Sequence, residues 1–146
     1  MNDKVFGELV FNNGWEKKLD CDFWGQESVK IRVSAYKDEE PNDNQRDAYS
    51  RFKEDIKQIS RMSFKKMEEY LQIISDDIIA YLDFDQMPDD IRKIVSINHI
   101  LFMESGDFAV ICDAVWDDHG VAVLCTETKM IAGPQDIVWM SGHLWH

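Results

Sequence analysis

Cysteine, proline and glycine are scarce in this chain of 146 residues, at three, three and seven. Cys21, Cys112 and Cys125 are odd in number and lack a C-x-x-C spacing, which argues against a disulfide framework or a zinc knuckle and fits reduced thiols in a cytosol. No run approaches the ~18 unbroken apolar residues of a membrane helix, and residues 1–6 lack a charged segment leading into an apolar one. The expectation is a cytoplasmic protein. GxGxxG, P-loop, HExxH and GxSxG patterns are missing, so the sequence names no cofactor and no recognisable catalytic site. Internal repeats, low-complexity tracts and linkers are missing too.

The most telling shortage is of positive charge. Acidic residues outnumber basic ones by 28 to 16, a net −12. Lys and Arg vanish from Asp76 to Asp90, which holds Asp76, Asp77, Asp83, Asp85, Asp89 and Asp90, and from Glu104 to Gly120, which holds Glu104, Asp107, Asp113, Asp117 and Asp118. Such a field repels phosphate backbones and anionic lipid, which disfavours nucleic-acid and membrane partners and permits a basic protein partner. The plainer alternative is that the charge only maintains solubility.

What is present is ample core material. Hydrophobic residues make up 45% of the chain, with five Trp, eight Phe and four Tyr, each aromatic removing about 150–250 Å² from water when buried. The length suits a single domain, residues 1–146. Residues 5–11 read as a strand, Asn12-Asn13-Gly14 as a hairpin turn and residues 15–21 as the return strand. Val29, Ile31, Val33 and Ala35 alternate with polar neighbours and mark one buried strand face. Asn42 and Gln45 are spaced as a capping box opening a helix. Apolar residues then recur at helical spacing as far as Leu82, as one long helix or as two with a break at Ser60–Ser63, where Ser63 is a candidate cap. After an acidic loop at residues 87–90, strands are expected at about 94–103, 108–116 and 121–127, with a last edge strand at 136–139 beyond a Gly133-Pro134 turn. Asp117-Asp118-His119-Gly120 reads as a hairpin tip, which pairs Trp116 with Val121, Ala114 with Val123 and Cys112 with Cys125 and leaves Asp113 and Thr126 on a wetter face. Strands, helices, then strands predict an α+β fold, a mostly antiparallel sheet with the central helical region packed on one face.

Each chemical candidate has a bland counterpart. Cys112 opposite Cys125 is either a redox pair or two small core residues, the latter favoured. His99, expected on a face with Val95, Ile97, Leu101 and Met103, is a general base or a hydrogen-bonded core histidine. Asp113, Asp117, Asp118 and His119 could ligate a cation, although their order is not that of a calcium loop. His143 and His146 are metal-ligating types on a terminal tail.

Several motifs taken together resemble a known group. Phe6-Gly7-Glu8-Leu9, Trp15, Phe23-Trp24-Gly25, Gln45-Arg46-Asp47-Ala48-Tyr49 with Phe52, and Cys112-Asp113-Ala114-Val115-Trp116-Asp117 with Gly120, Gln135 and Asp136 resemble an uncharacterised family of small bacterial cytoplasmic proteins. Its members are immunity-like and occur beside polymorphic toxins. The likeness spans about residues 5–139. It implies a non-catalytic protein that neutralises a cognate basic toxin by direct binding, with Asp76, Asp77, Asp83, Asp85, Asp113, Asp117 and Asp118 forming the partner surface. Tyr81 and Phe84 would serve as hot spots if exposed, while their spacing favours core packing. The rival expectations are a hydrolase using scattered carboxylates with His99 or His119, and a structural or oligomerising module.

Overall fold

The structure, a computed structural model, describes residues 1–139. A two-stranded ribbon, β1 (Asn2–Asp3) with β2 (Gly7–Glu8), precedes a seven-stranded sheet of β3 (Val10–Phe11), β4 (Trp15–Phe23), β5 (Gln26–Val33), β6 (Val95–Phe102), β7 (Phe108–Ala114), β8 (Asp117–Cys125) and β9 (Met130–Pro134). Strand order follows chain order, and every neighbouring pair is antiparallel except β5 with β6. That parallel pair is joined by the helical segment, because parallel strands need a crossover. The fold is α+β, a mostly antiparallel sheet with helices packed against one face.

The crossover holds α1 (Asp43–Glu54), α2 (Ile56–Ile73) and α3 (Ser75–Leu82). Asn42 and Gln45 form the expected capping box, with Gln45 N–H donating to Asn42 Oδ1 at 2.8 Å and Asn42 N–H to Gln45 Oε1 at 2.9 Å. Gln45 does more than cap. Its buried amide also donates to the carbonyls of Ser34 (2.8 Å) and Phe102 (3.1 Å), clipping the ends of β5 and β6 together. A straight helix over residues 43–82 would run about 60 Å, longer than a small domain's core. Single-residue breaks at Asp55 and Ile74 bend it back onto the sheet.

Neither a single long helix nor a break at Ser60–Ser63 is seen, since the breaks fall at Asp55 and Ile74 and both serines lie inside α2. They serve a different need. The β4–β5 turn places Trp24 at φ 54°, and α2 receives it there: Ser60 Oγ accepts the Trp24 backbone N–H at 2.9 Å, and buried Ser63 Oγ accepts the indole N–H at 3.0 Å. Between helices and sheet lies an aromatic core in which Phe6 stacks on Tyr49 at 4.4 Å, with Phe102 meeting Phe6, Tyr49 and Phe52 edge-on.

The β7–β8 hairpin departs from expectation by four residues. Its turn is Val115-Trp116, and Ala114 pairs with Asp117, Cys112 with Val121, Val110 with Val123 and Phe108 with Cys125. Gly120 is not the tip. It has φ 75° beside an irregularity in the β7–β8 ladder, where a Cβ would strike the Cys112 carbonyl oxygen. A glycine in that conformation is what a bulge of this type uses. The four-residue shift is even, so each side chain keeps its expected face. Cys112 and Cys125 are both buried on the helix side, but they are not opposite one another and both thiols are free.

The far face is not the wet one in its centre. Leu101, Ala109, Ile111, Ala122, Leu124 and Val138 form a second apolar cluster there. Residues 136–139, expected as an edge strand, form a helical turn instead. Gln135 N–H donates to the Gly120 carbonyl and its side chain to Cys112 O, anchoring that turn so that Val138 covers the cluster. The edge strand is β9, joined to β8 through residues 126–129, and Gly133-Pro134 ends it.

Candidate functional site

The seven acids singled out from the sequence occupy two regions. Asp76 and Asp77 sit in the first turn of α3, Asp83 caps its end in the left-handed region at φ 55°, and Asp85 follows; all four are exposed. Asp117 opens β8 half-buried, while Asp113 and Asp118 are exposed. Burial first and the Asp117 carboxylate second push the Tyr70 phenol of α2 up. Asp113 faces the other way: its carboxylate accepts from Asn98 Nδ2 at 3.1 Å and acts on His99 across the far face. The seven do not form one continuous face. The α3 acids, with Asp117 beside the end of α2, belong to the helix side.

None of Asp76, Asp77, Asp83, Asp85, Asp113 and Asp118 has an ion-pair partner among the described residues, and Asp117 has only the His119 imidazole, 3.3 Å away. Two neighbouring acids, Asp90 and Asp107, sit in other environments. Asp90 is held by Arg92 at 2.7 Å, and hydrogen bonds from that residue bring its carboxyl down to about 2. Asp107 is buried; burial pushes its carboxyl up, the Ser105 hydroxyl partly offsets this, and Glu127 adds to it. Other exposed acids, among them Asp38, Glu54, Asp89 and Glu104, also lack an ion-pair partner among the described residues, so what sets the α3 acids apart is their closeness in the chain.

The other candidates are dispersed. An irregularity in β6 between Ile97 and His99 divides the face expected for His99: Val95 and Ile97 turn to the main core, whereas His99 and Leu101 turn to the far face. Sequence alternation misses this because Asn98 is the extra residue. His99 lines a pocket of about 520 Å³ with Arg32, Tyr36, Leu101, Ile111, Glu104 and Trp139, which contains none of the seven acids and not His119. Burial first, then Arg32 and Lys30, bring its imidazole down to about 4, and Nδ1 lies 2.8 Å from Asn98 Oδ1. A neutral ring with so low a pKa is a weak base for proton abstraction near neutrality. Arg32 is engaged by Glu16 at 3.2 Å and by the Asn13 carbonyl at 2.9 Å.

Asp107, which the sequence did not single out, lines a separate polar pocket of about 430 Å³ with Asp47, Arg51 and Glu127. Burial drives the Cys112 and Cys125 thiols upward, away from nucleophilic thiolate character. No group of three or more His, Cys, Asp or Glu among the described residues is arranged to hold a metal, which includes the hairpin set with His119. His143 and His146 lie outside the described residues. No described helix is long and apolar enough to cross a membrane.

Tyr81 and Phe84 are exposed, against the expectation that they pack in the core. In α3 only Ile78 is fully buried. Their exposure carries no signal in helical periodicity, because a helix with apolar residues on two sides reads from sequence like one with a wide buried face.

No curated protein and no solved structure matches the chain. A family model described as a domain of unknown function, DUF6985, matches residues 5–139, which run from just before the Phe6–Tyr49 stack to the helical turn that closes the far face. The chain belongs to that family.

Proposed function

We propose that this protein is a non-catalytic acidic binding module that captures a basic protein, and that it acts as an immunity protein neutralising a toxin domain by direct contact. The observation that carries the reading is the set of exposed carboxylates at Asp76, Asp77, Asp83, Asp85 and Asp118, joined by half-buried Asp117, with no Lys or Arg in ion-pair contact among the described residues. Unpaired surface carboxylates keep their field available to a partner, raising association rates and penalising acidic competitors. Asp113 contributes from the far face and is the least suited of the seven to the same contact. The motif resemblance to immunity-like proteins supports the toxin-directed form of the reading. The test is to co-express the chain with the product of its neighbouring gene, measure capture of that product and score cell survival. Stable capture with rescue is expected; a basic neighbour that neither binds nor is neutralised would overturn the immunity reading.

A further inference from the structure

The segment from the end of α2 through α3 is built unlike the rest of the helical layer. Ile73, Tyr81 and Phe84 are 82%, 69% and 43% exposed. Ile73 closes α2, Tyr81 lies in the last turn of α3 and Phe84 follows its left-handed cap Asp83, so the three sit close together in the chain on either side of the Ile74 break. Asp76, Asp77, Asp83 and Asp85 fall within the same segment and are exposed as well. Met62, Val115 and Ile131 are exposed singly on α2, the β7–β8 turn and β9, as is ordinary for a protein surface, while exposed Tyr36 and Trp139 line the His99 pocket. Three within twelve residues, rimmed by charge, are the pattern of an interaction site. Phe84 is also held in place, its N–H donating to the Ile79 carbonyl at 3.1 Å past the left-handed Asp83.

The charge selects the occupant. A second copy would bring a net −12 surface against another and set Asp on Asp, and anionic lipid and nucleic acid are repelled by the same carboxylates. A segment that alternates apolar side chains with Lys or Arg satisfies both halves of the face.

We infer that residues 73–85 form a docking face for a basic amphipathic helix of the partner, with Ile73, Tyr81 and Phe84 as apolar anchors and Asp76, Asp77, Asp83 and Asp85 as the charged rim. This rests on the capture reading above and adds where the partner sits and what holds it after encounter. The rim steers arrival, and the anchors slow departure.

The test uses the whole chain and two synthetic probes of equal positive charge, an amphipathic Leu/Lys helical peptide and an oligolysine, with affinities measured by fluorescence anisotropy. The amphipathic peptide is expected to bind at least about tenfold more tightly. The variant Ile73→Ser/Tyr81→Ser/Phe84→Ser should lose that preference while still binding oligolysine, with an unchanged circular dichroism spectrum; Tyr81→Ser alone should lose part of it. Asp76→Asn/Asp77→Asn/Asp83→Asn/Asp85→Asn should weaken both probes. If the triple variant keeps the preference, or oligolysine binds as tightly as the amphipathic peptide, the docking face is refuted while acidic capture stands. If neither probe binds, acidic capture fails with it. If light scattering shows a dimer that the triple variant converts to monomer, the face belongs to a second copy and the inference is overturned.

Discussion

Arg46 ties the amino-terminal ribbon to the helical layer. Its guanidinium reaches Asp3 Oδ1 from Nη2 at 2.8 Å and from Nε at 3.1 Å, and the other Asp3 oxygen accepts the N–H groups of Val5 and Phe6. Burial pushes the Asp3 carboxyl up, but the hydrogen bonds from Arg46, Phe6 and Val5 outweigh it and leave its pKa below the ordinary 3.8. Its contribution to stability is thus present above that value and is lost as pH falls through the lowered one. Arg46→Ala would strand a buried carboxylate and should cost about 3–5 kcal/mol in denaturant unfolding; a loss within the range of an exposed pair would contradict the buried-pair account. His99 has the same pH direction by another route. Held neutral down to about 4 against an ordinary 6.5, it lets the unfolded chain bind more protons between those values, so acid destabilises the fold across that window. His99→Gln should flatten the slope of stability against pH there. An unchanged slope would show that His99 titrates normally.

Strands and helices were legible in the sequence to differing degrees. The Asn42–Gln45 capping box and the alternation of Val29, Ile31 and Val33 are local signals, and the structure uses them as read. Where a residue's role depends on a distant element, local reading misplaced it. Ser60 and Ser63 offered a helix break as one of two readings because their partner, Trp24, lies in the β4–β5 hairpin. Gly120 read as a turn because a bulge and a tip both call for a glycine at positive φ. Asp136–Trp139 read as a strand because nothing local reveals the far-face cluster that Val138 covers. The bulge assignment gives a prediction at this scale. Gly120→Ala introduces a Cβ into the Cys112 carbonyl and a strained φ, and it should lower stability by about 1–3 kcal/mol. Asn98→Gly, at the β6 irregularity, should be much milder. Tolerance of alanine at 120 would return that residue to an ordinary turn.

Across the whole molecule part of the negative charge is matched and much of it is open. Asp90 is matched by Arg92 and Asp3 by Arg46, whereas the acids of α3 and of the β8 start are left open beside exposed apolar side chains. The sequence showed which segments lack Lys and Arg. It did not show that Asp113 would face away from the other acids, nor that Tyr81 and Phe84 would be exposed, because both depend on how strand register and helix breaks orient the chain in three dimensions. The buried Asp3–Arg46 pair stabilises the fold, and in the reading proposed above the open acids of α3 and β8 steer a partner. The most direct test is the association rate of the protein with the basic partner proposed above, followed by stopped flow over increasing salt, for the native chain and for Asp117→Lys/Asp118→Lys. The account predicts slower association of the variant at low salt, a shallower salt dependence and convergence of the two at high salt. Identical rates and slopes would contradict it.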